Sequence, residues 1–391
     1  MVGYWGNVND ILEEDSQIQI ATVKLEDARE ITVINYLAIH PACRMGDRVY
    51  VNTVAIDLDL GTGGYGFVMA ISTISEEKSE SSHPGHIIKM RYAPTQVAVH
   101  AVEAPESDRH DAFCLPFSLE NKRVFMSELH SVLPLWVALL ETLTSETNSF
   151  KKAGAGQNSE NSQGRTFVYI MDDQACLQAS FSQHIRTLKH KANMMTITYG
   201  QASGGDIEAV NLYTALEAAV KVAEADDILI TQGPGVVGTG TSRGFSGMSL
   251  SQWIHTVHTL GGRAVVIPRI QINDKRSRHI GFSHHTLTPL LAHTLVPAII
   301  PYPDIEGDQL CEGAWSPSSY EQYQLRYSQQ IAQLQDQHHV YPVPAQTLHT
   351  LILEALKWYE KPIRSMGRGY NQEPLMFQAV AAAVYWYLHN Q

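Results

Sequence analysis

The sequence predicts an α/β protein: a β-rich, barrel-like N-terminal domain followed by a doubly wound, mostly parallel α/β sheet domain. Three observations support this fold class. Residues 1–104 show one strand pattern after another with no long helical period. After Ser127, short apolar runs alternate with helical segments. The ends of those runs carry glycines and polar side chains, as expected where an open α/β sheet binds a ligand.

The N-terminal domain is predicted from segments rich in valine, isoleucine and tyrosine, separated by turn residues. These segments are Gln17–Leu25, Ile31–Tyr36, Arg48–Ile56, Phe67–Ile71, Ile87–Tyr92 and Val97–Val102. Since no helix interrupts them, a small antiparallel barrel accounts for them. The glycine cluster Gly61–Gly66 is interpreted as a corner where strands bend, with a second ligand loop as the alternative.

Residues 105–165 are predicted to connect the domains through a helix near Glu128–Leu143 and a flexible polar loop from Thr144 to Arg165. A Rossmann-like α/β domain follows over residues 166–391. Its predicted strands are Phe167–Met171, Met194–Thr198, Ile228–Thr231, Ala264–Ile267, Val296–Ile300 and His339–Val343. Its predicted helices are Cys176–Leu188, Ile207–Ala223, Ser249–Leu260, Leu287–Thr294, Ser318–Gln335 and two more at the end. Strands separated by such helices pair in parallel.

Charge and cysteine content narrow the function classes. A net charge of −12 argues against nucleic acid and against a polybasic membrane contact. The four cysteines form no C-x-x-C pair, which favours reduced thiols over a zinc ribbon or a disulfide framework. Because no signal peptide or membrane-length apolar run is visible, we expect a cytoplasmic protein.

The most informative segment is the glycine-rich loop Gly233–Gly247, which follows the apolar run Ile228–Ile230. Glycines let successive backbone N–H groups face one anion, so the loop is a candidate anion cradle. The ligand-binding candidates are Gly233, Gly235, Gly238, Thr239, Gly240, Thr241 and Arg243. Its GPGVVG match to a dinucleotide fingerprint is an alternative, although no acidic residue ends the next strand.

Two further interpretations of the loop remain open. The loop is also explained by a tight turn packed between subunits. Its G-x-S-x-G match at Ser242, with Asp274 and His284 following, suggests a nucleophile elbow, but Ser242 lies well past the end of the strand.

The segment Arg269–Thr286 is locally basic in an acidic chain. Its ligand-binding candidates are Arg269, Arg276 and Arg278, because forked guanidinium donors suit phosphate or carboxylate. His279, His284 and His285 add groups that transfer protons or bind metal. Since adjacent histidines usually point in different directions, we expect at most one of His284 and His285 to reach a site. The catalytic candidates are Asp206, His284 and His285.

Acidic side chains follow two of the predicted strands. Asp172, Asp206 and Glu208 together would hold a divalent, magnesium-like cation through oxygen ligands. The alternative is that Asp172 and Asp206 cap the helices that follow them.

Several long motifs resemble a bacterial family catalogued only as domain of unknown function 3866. They are Gly46–Thr53, Leu60–Tyr65, Gly85–Tyr92, Glu128–Ser131, Gly200–Asn211, Gly233–Gly247, Arg278–Thr286 and Met366–Arg368. They span nearly the whole chain in one order. The resemblance implies no activity and therefore assigns no catalytic residue.

These observations predict that the carboxyl edge of the sheet binds a small anionic ligand, phosphorylated as one candidate class. A hydrolase or transferase would use such a site. The competing hypothesis is a non-enzymatic sensor or an assembly module in which the glycine loop packs at a homo-oligomer interface.

Overall fold

The computed structural model describes residues 3–59, 64–72, 85–154, 164–306 and 317–390. They divide into two compact units, Met1–Glu106 and Ser107–Gln391. Each unit contains a hydrophobic core cluster of its own.

Five strands of the first unit close into a barrel in the order β1-β2-β3-β5-β4. The strands are β1 Gly3–Glu14, β2 Ile18–Leu25, β3 Glu30–Tyr36, β4 Arg48–Asn52 and β5 Tyr65–Ile71. The β3–β5 pair is parallel and the other pairs are antiparallel, so the prediction of a purely antiparallel barrel was wrong in this detail. The first unit therefore contains a closed five-stranded barrel with one parallel strand pair.

The barrel core is built largely from alternating valines. Val49 and Val51 point inwards from β4, and Val23 and Val33 meet them from β2 and β3. Strand β1 was not predicted, because its polar residues and two register shifts obscure the alternation.

Smaller elements complete this unit. They are helix α1 Val54–Asp57 and the hairpin of β6 Ile87–Lys89 with β7 Val97–Val99. The predicted strand Arg48–Ile56 therefore ends early, at Asn52. Of the predicted corner at Gly61–Gly66, residues 61–63 lie outside the described residues, and Gly64 has φ +77°.

The second unit contains an eight-stranded, all-parallel sheet in the order β11-β10-β9-β12-β8-β13-β16-β17. The strands are β8 Arg123–Ser127, β9 Phe167–Asp172, β10 Met194–Tyr199, β11 Ile207–Ala209, β12 Asp227–Gln232, β13 Arg263–Val266, β16 Ile299–Asp304 and β17 His339–Pro344. A separate hairpin pairs β14 Ile270–Gln271 with β15 Gly281–Phe282. The predicted α/β fold is confirmed.

The helices of this unit cover both faces of the sheet. They are α2 His110–Phe113, α3 Leu133–Gly154, α4 Gln183–Lys189, α5 Leu212–Lys221, α6 Ser249–Thr259, α7 His284–His293, α8 Pro317–Gln335, α9 Ala345–Tyr359 and α10 Pro374–His389. Phe167 and Tyr169 of β9 share a core cluster with α3, α9 and α10. The alternate residues Val168 and Ile170 face the other way and are equally buried. Burial on both faces is typical of parallel strands.

Strand β8 lies at the centre of the sheet, although the sequence analysis assigned it to the connecting segment. It has only five residues and opens with an arginine, which weakens the apolar signal. The helix predicted from Glu128 begins at Leu133, after a short 3₁₀ turn at His130–Val132. The first part of the predicted polar loop extends α3 to Gly154, and residues 155–163 lie outside the described residues.

The predicted helix Ile207–Ala223 was wrong over its first turn. Ile207–Ala209 forms the edge strand β11, and α5 begins at Leu212. The Asn211 side chain accepts the backbone N–H groups of Tyr213 and Thr214, which makes Asn211 the N-cap.

Candidate functional site

Three loops meet where the strand order reverses. From β8 the chain passes to β9 on one side of the sheet, and after β13 it continues to β16 on the other. The loops that follow β8, β12 and β13 therefore share the carboxyl edge at this switch point, which is the usual ligand-binding position of an open α/β sheet. They contribute Glu128, the glycine loop and the segment from Arg269 to His285 respectively.

The glycine loop folds into a small hairpin. Gly238 and Phe245 form an antiparallel bridge, and the Thr239 N–H donates to the Gly244 carbonyl over 2.8 Å. The Ser246 N–H donates to the Val237 carbonyl over 2.9 Å. These N–H groups therefore donate within the loop, so they are not available to an anion cradle made of all its backbone N–H groups.

The hairpin instead forms a wall of the site. Phe245 stacks on the His285 ring with centroids 4.1 Å apart and planes 7° from parallel. A Cβ atom at Gly238 would lie 3.5 Å from the same ring, and one at Gly240 would lie 3.7 Å from the Arg278 guanidinium. Gly238 and Gly240 are thus in contact distance of the predicted basic segment. The remaining candidates Gly233, Gly235, Thr239 and Thr241 lie along the same loop, and their roles stay predictions.

Three histidines face one another at the start of α7. The ring centroids of His284 and His285 are 4.3 Å apart, and His279 lies 4.8 Å and 5.0 Å from them. One ring nitrogen from each lies within 4.8 Å of the others. We expected at most one of the adjacent pair to reach a site, and the start of α7 instead brings both rings beside His279.

Local structure explains this convergence. Ser283 caps α7 by accepting the His285 N–H over 3.2 Å, and its hydroxyl lies 2.8 Å from Nδ1 of His279. The β14–β15 hairpin turns the chain between Ile270 and Phe282 back on itself. Gln330 holds this hairpin in place by accepting the Phe282 N–H over 2.9 Å. Gly281 has φ +73°, and a Cβ there would collide with the Gln330 side chain.

A buried charged pair lies beside the histidines. Glu128 is 1% exposed and Arg269 is 2% exposed. The Arg269 Nη1 lies 3.7 Å from Oε1 of Glu128, and Nδ1 of His285 lies 3.6 Å from Oε2. Both Glu128 oxygens and the Arg269 Nη2 have no hydrogen-bond partner among the described residues. Buried polar groups normally have hydrogen-bond partners, so these atoms are available to bind a ligand.

The protonation states follow from this environment. Burial raises the pKa of Glu128 to about 7, against the opposing effect of Arg269. Burial, reinforced by the charge of Arg269, lowers the pKa of His279 to about 3 and that of His285 to about 2. The same two causes, with Arg278, lower the pKa of His284. The three rings are therefore neutral near pH 7.

The other arginines differ in how they are engaged. Arg276 forms a two-pronged ion pair with Asp274, with N–O distances of 2.9 and 3.0 Å. Arg243 donates to His293 over 3.0 Å from the exposed part of the loop. Arg278 lies beside Gly240, and its buried Nε has no partner in the described part of the chain.

A comparison with protein families assigns nearly the whole chain to one family. A family model described as protein of unknown function, DUF3866, matches residues 32–384. The chain belongs to DUF3866. No curated protein matches the chain. The resemblance inferred from the motifs is confirmed, and every residue of the histidine cluster lies inside the matched range.

The three predicted metal carboxylates of this DUF3866 protein are not brought together. Asp172 is buried and accepts hydrogen bonds from Tyr199 and from Nε1 of Trp253. Asp206 accepts from Lys189 and Thr196, while Glu208 accepts from Thr198 over 2.6 Å.

These bonds give the carboxylates structural roles. Burial raises the pKa of Asp172, and hydrogen bonds from Lys189 and Thr196 outweigh burial to lower that of Asp206. Asp206 and Glu208 pin the edge strand β11, on the far side of β10 and β9 from the histidines. Asp206 is therefore separated from His284 and His285. Asp172 also caps a 3₁₀ turn through the Gln174 N–H.

The nucleophile-elbow hypothesis finds no matching geometry at Ser242. This residue lies exposed in the hairpin rather than at a strand-to-helix turn. Asp274 pairs with Arg276 and lies 3.7 Å from Arg368.

Glu128 is the site residue that the sequence analysis missed as a functional group. It directly follows the short strand β8, and a polar residue after a buried apolar run is the signal that would have identified it. Glu128 was instead predicted to be the first residue of a helix.

A separate cleft of about 570 Å³ lies at the opposite, amino edge of the sheet. Its walls include Arg123, Arg263, His258 and His339, with Trp386. Arg123 is already engaged, since it donates to the Asn390 carbonyl and packs over the Trp386 ring. The amino edge is not where parallel sheets usually bind ligands, so we favour the histidine cluster.

None of the helices in the described part of the chain is long and apolar enough to cross a bilayer. Cys43, Cys114 and Cys176 form no disulfide bond among the described residues, and Cys311 lies outside them.

Proposed function

We propose that the carboxyl edge of the sheet binds a small anionic ligand, with phosphorylated compounds as the leading class. The observation that carries this proposal is the unpartnered donor of the buried Arg269 side chain. Its guanidinium is buried, yet Nη2 has no partner among the described residues, and the nearest carboxylate lies 3.7 Å away. A buried charge with an unused donor is costly, and an anion that accepts from it would remove that cost.

The balance of charge around Arg269 also favours an anion. Four guanidinium groups face three carboxylates here, because Glu128, Asp274 and Glu373 oppose Arg269, Arg276, Arg278 and Arg368. With the histidines neutral, this leaves an excess of positive charge. In a site of low dielectric constant such an excess attracts anions strongly.

The reaction class that we propose is hydrolysis or group transfer. Glu128 and His285 face the same space as Arg269, so acid–base groups and an anion-binding group lie together. Asp206 has no part in this proposal, because the sheet order separates it from the cluster. We further propose a cytoplasmic location, which the free thiols support.

An assembly role is the second candidate, and a specific observation favours it. Val237 at the base of the glycine hairpin is 65% exposed. An exposed apolar side chain beside exposed glycines is suited to contact with a second copy of the chain. Oligomeric state in solution, measured for the wild type and for Val237→Ser, separates this role from ligand binding.

The anion proposal is tested by titrating the purified chain with inorganic phosphate in a calorimeter and by thermal shift. Phosphate at about 100 times its Kd should add roughly 2.7 kcal/mol to the free energy of unfolding. Arg278→Gln should weaken binding roughly 10- to 100-fold, since a hydrogen bond to a charged group contributes about 1.5–3 kcal/mol.

Arg263→Gln is the matched control, because Arg263 is an exposed arginine that lines the cleft at the amino edge. This variant should bind phosphate as the wild type does. If Arg263→Gln loses binding while Arg278→Gln retains it, the anion site is the amino-edge cleft and our proposal is wrong.

A further inference from the structure

The histidine cluster has the donor atoms of a metal site. Nε2 of His279, Nδ1 of His285 and the ring nitrogens of His284 are buried and have no hydrogen-bond partner among the described residues. One nitrogen from each ring lies within 4.8 Å of the other two. Zn–N bonds of about 2.0–2.1 Å place tetrahedral ligand atoms about 3.3 Å apart, so modest side-chain rotations would bring the rings together.

A second group fixes the orientation of one ring. The Ser283 hydroxyl lies 2.8 Å from Nδ1 of His279 and accepts the backbone N–H of His285. A ring whose Nδ1–H donates to this hydroxyl presents the lone pair of Nε2 to the cluster. Metal-binding histidines are usually held in this way through their other nitrogen.

A carboxylate adjoins the three rings. Oε2 of Glu128 lies 3.6 Å from Nδ1 of His285, and neither carboxylate oxygen has a hydrogen-bond partner among the residues described. Gly247 leaves space for this carboxylate, since a Cβ atom there would lie 2.6 Å from Oε2. Three imidazoles and one carboxylate are a ligand set for transition metals.

We propose that His279, His284 and His285, with Glu128 beside them, bind one divalent transition-metal ion of the zinc class. Imidazole nitrogens favour zinc, copper, iron or nickel over magnesium and calcium, which prefer oxygen ligands. The site differs in residues and in metal class from the carboxylate site at Asp172, Asp206 and Glu208 that the sequence suggested.

The surrounding charges determine what else the ion would bind. The Arg269 guanidinium lies 3.7 Å from Oε1 of Glu128, the carboxylate beside the three rings, and the Arg278 guanidinium lies beside Gly240 of the glycine hairpin. A dication added to this environment leaves it strongly positive. With the three imidazoles as ligands and Glu128 beside the ion, the fourth position of a tetrahedral ion is open, and it would take an anionic ligand, which links the metal to the proposed anion site.

The test uses the full chain, stripped of metal by a chelator and titrated with Zn²⁺ alone against a competing indicator dye. We expect one equivalent of Zn²⁺ per chain. His284→Ala should lower the affinity at least about 100-fold, and Ser283→Ala should lower it about 10- to 100-fold through loss of ring orientation. His190→Ala is the control, because His190 is exposed and lies outside the cluster, and it should bind as the wild type does.

X-ray absorption of the zinc-loaded wild type keeps the proposal testable if a variant fails to fold. It should show imidazole scattering with Zn–N distances of about 2.0 Å. Absence of a bound equivalent in the wild type, a spectrum without imidazole, or full retention of zinc by folded His284→Ala would overturn the proposal.

The outcomes separate the two proposals. Zinc binding without phosphate binding in either the zinc-loaded or the metal-free protein would contradict only the anion proposal. Phosphate binding with no zinc bound would contradict only the metal site.

Discussion

At the scale of single residues, His130 shows how burial fixes a protonation state outside the proposed site. Its ring lies between the Tyr169 hydroxyl at 2.8 Å and the Ser182 hydroxyl at 2.6 Å. Burial lowers its pKa from 6.5 to about 3. Below pH 6.5 the ring takes up a proton in the unfolded chain, while in the folded chain it stays neutral down to about pH 3. Protonation therefore favours the unfolded chain in acid.

We predict a pH dependence of stability from this histidine. The contribution is absent above pH 6.5, and the free energy of unfolding falls as the pH drops from 6.5 towards 3. His130→Asn should reduce this slope by about 1.4 kcal/mol per pH unit, the effect of one proton. Urea unfolding at several pH values, followed by tryptophan fluorescence, measures the slope. Equal slopes for His130→Asn and the exposed control His190→Asn would contradict the prediction.

Residue types allowed part of the site to be predicted. Arg269, His284 and His285 were identified because a basic, histidine-containing segment stands out in an acidic chain. Glu128 was missed because a lone glutamate has no distinctive sequence signal, and its value depends on burial beside Arg269. The carboxylates Asp172, Asp206 and Glu208 looked equally promising, yet hydrogen bonds to Trp253, Thr196 and Thr198 occupy them.

At the scale of elements, the short turn Ser246–Met248 matters because it packs against Glu128. Gly247 within it is buried and has no room for a side chain, since Phe245 and the Glu128 carboxylate are both close. The glycine loop, which follows strand β12, thus packs against the carboxylate that follows strand β8.

We predict that Gly247→Ala weakens zinc binding by displacing the Glu128 carboxylate. The new Cβ would lie 2.6 Å from Oε2, so the carboxylate must move. The zinc affinity should fall about tenfold or more, as for other changes around metal ligands. Gly164→Ala is the control, because a Cβ there has nothing within 4 Å, and it should leave zinc affinity unchanged. Unchanged affinity in Gly247→Ala would show that Glu128 is not needed beside the ion.

Element types were predicted correctly where the apolar pattern was clear, as for β9, β12 and α6. The predictions failed where tertiary contacts determine whether a segment is a strand or a helix. The segment Ile207–Ala209 has a helical apolar pattern that continues into α5, but pairing with β10 makes it a strand. Strand β8 is too short to be recognised alone and is stabilised by β12 and β13 on either side.

At the scale of the whole molecule, each unit contains a complete sheet and its own core. The barrel closes within Met1–Glu106, and the eight-stranded sheet lies within Ser107–Gln391. The core clusters of the two units share no residue. Each unit therefore has the interior that independent folding requires.

We predict that a fragment beginning at Ser107 folds on its own and binds zinc. It contains all the proposed ligands and the complete parallel sheet. A cooperative thermal transition by circular dichroism and one equivalent of bound Zn²⁺ are the expected results. A fragment without a cooperative transition, beside a full chain that shows one, would contradict the independence of the units.

The order of strands in the sheet also sets an order of events during synthesis. Of the eight strands of this sheet, β8 leaves the ribosome first, yet both of its neighbours, β12 and β13, are made after β9, β10 and β11. The earliest pairing available is β9 with β10, and the centre of the sheet waits for β12 and β13. Glu128 meets its histidines only when the nascent chain has passed His285. Occupancy of the metal site would therefore mark chains whose central sheet is complete.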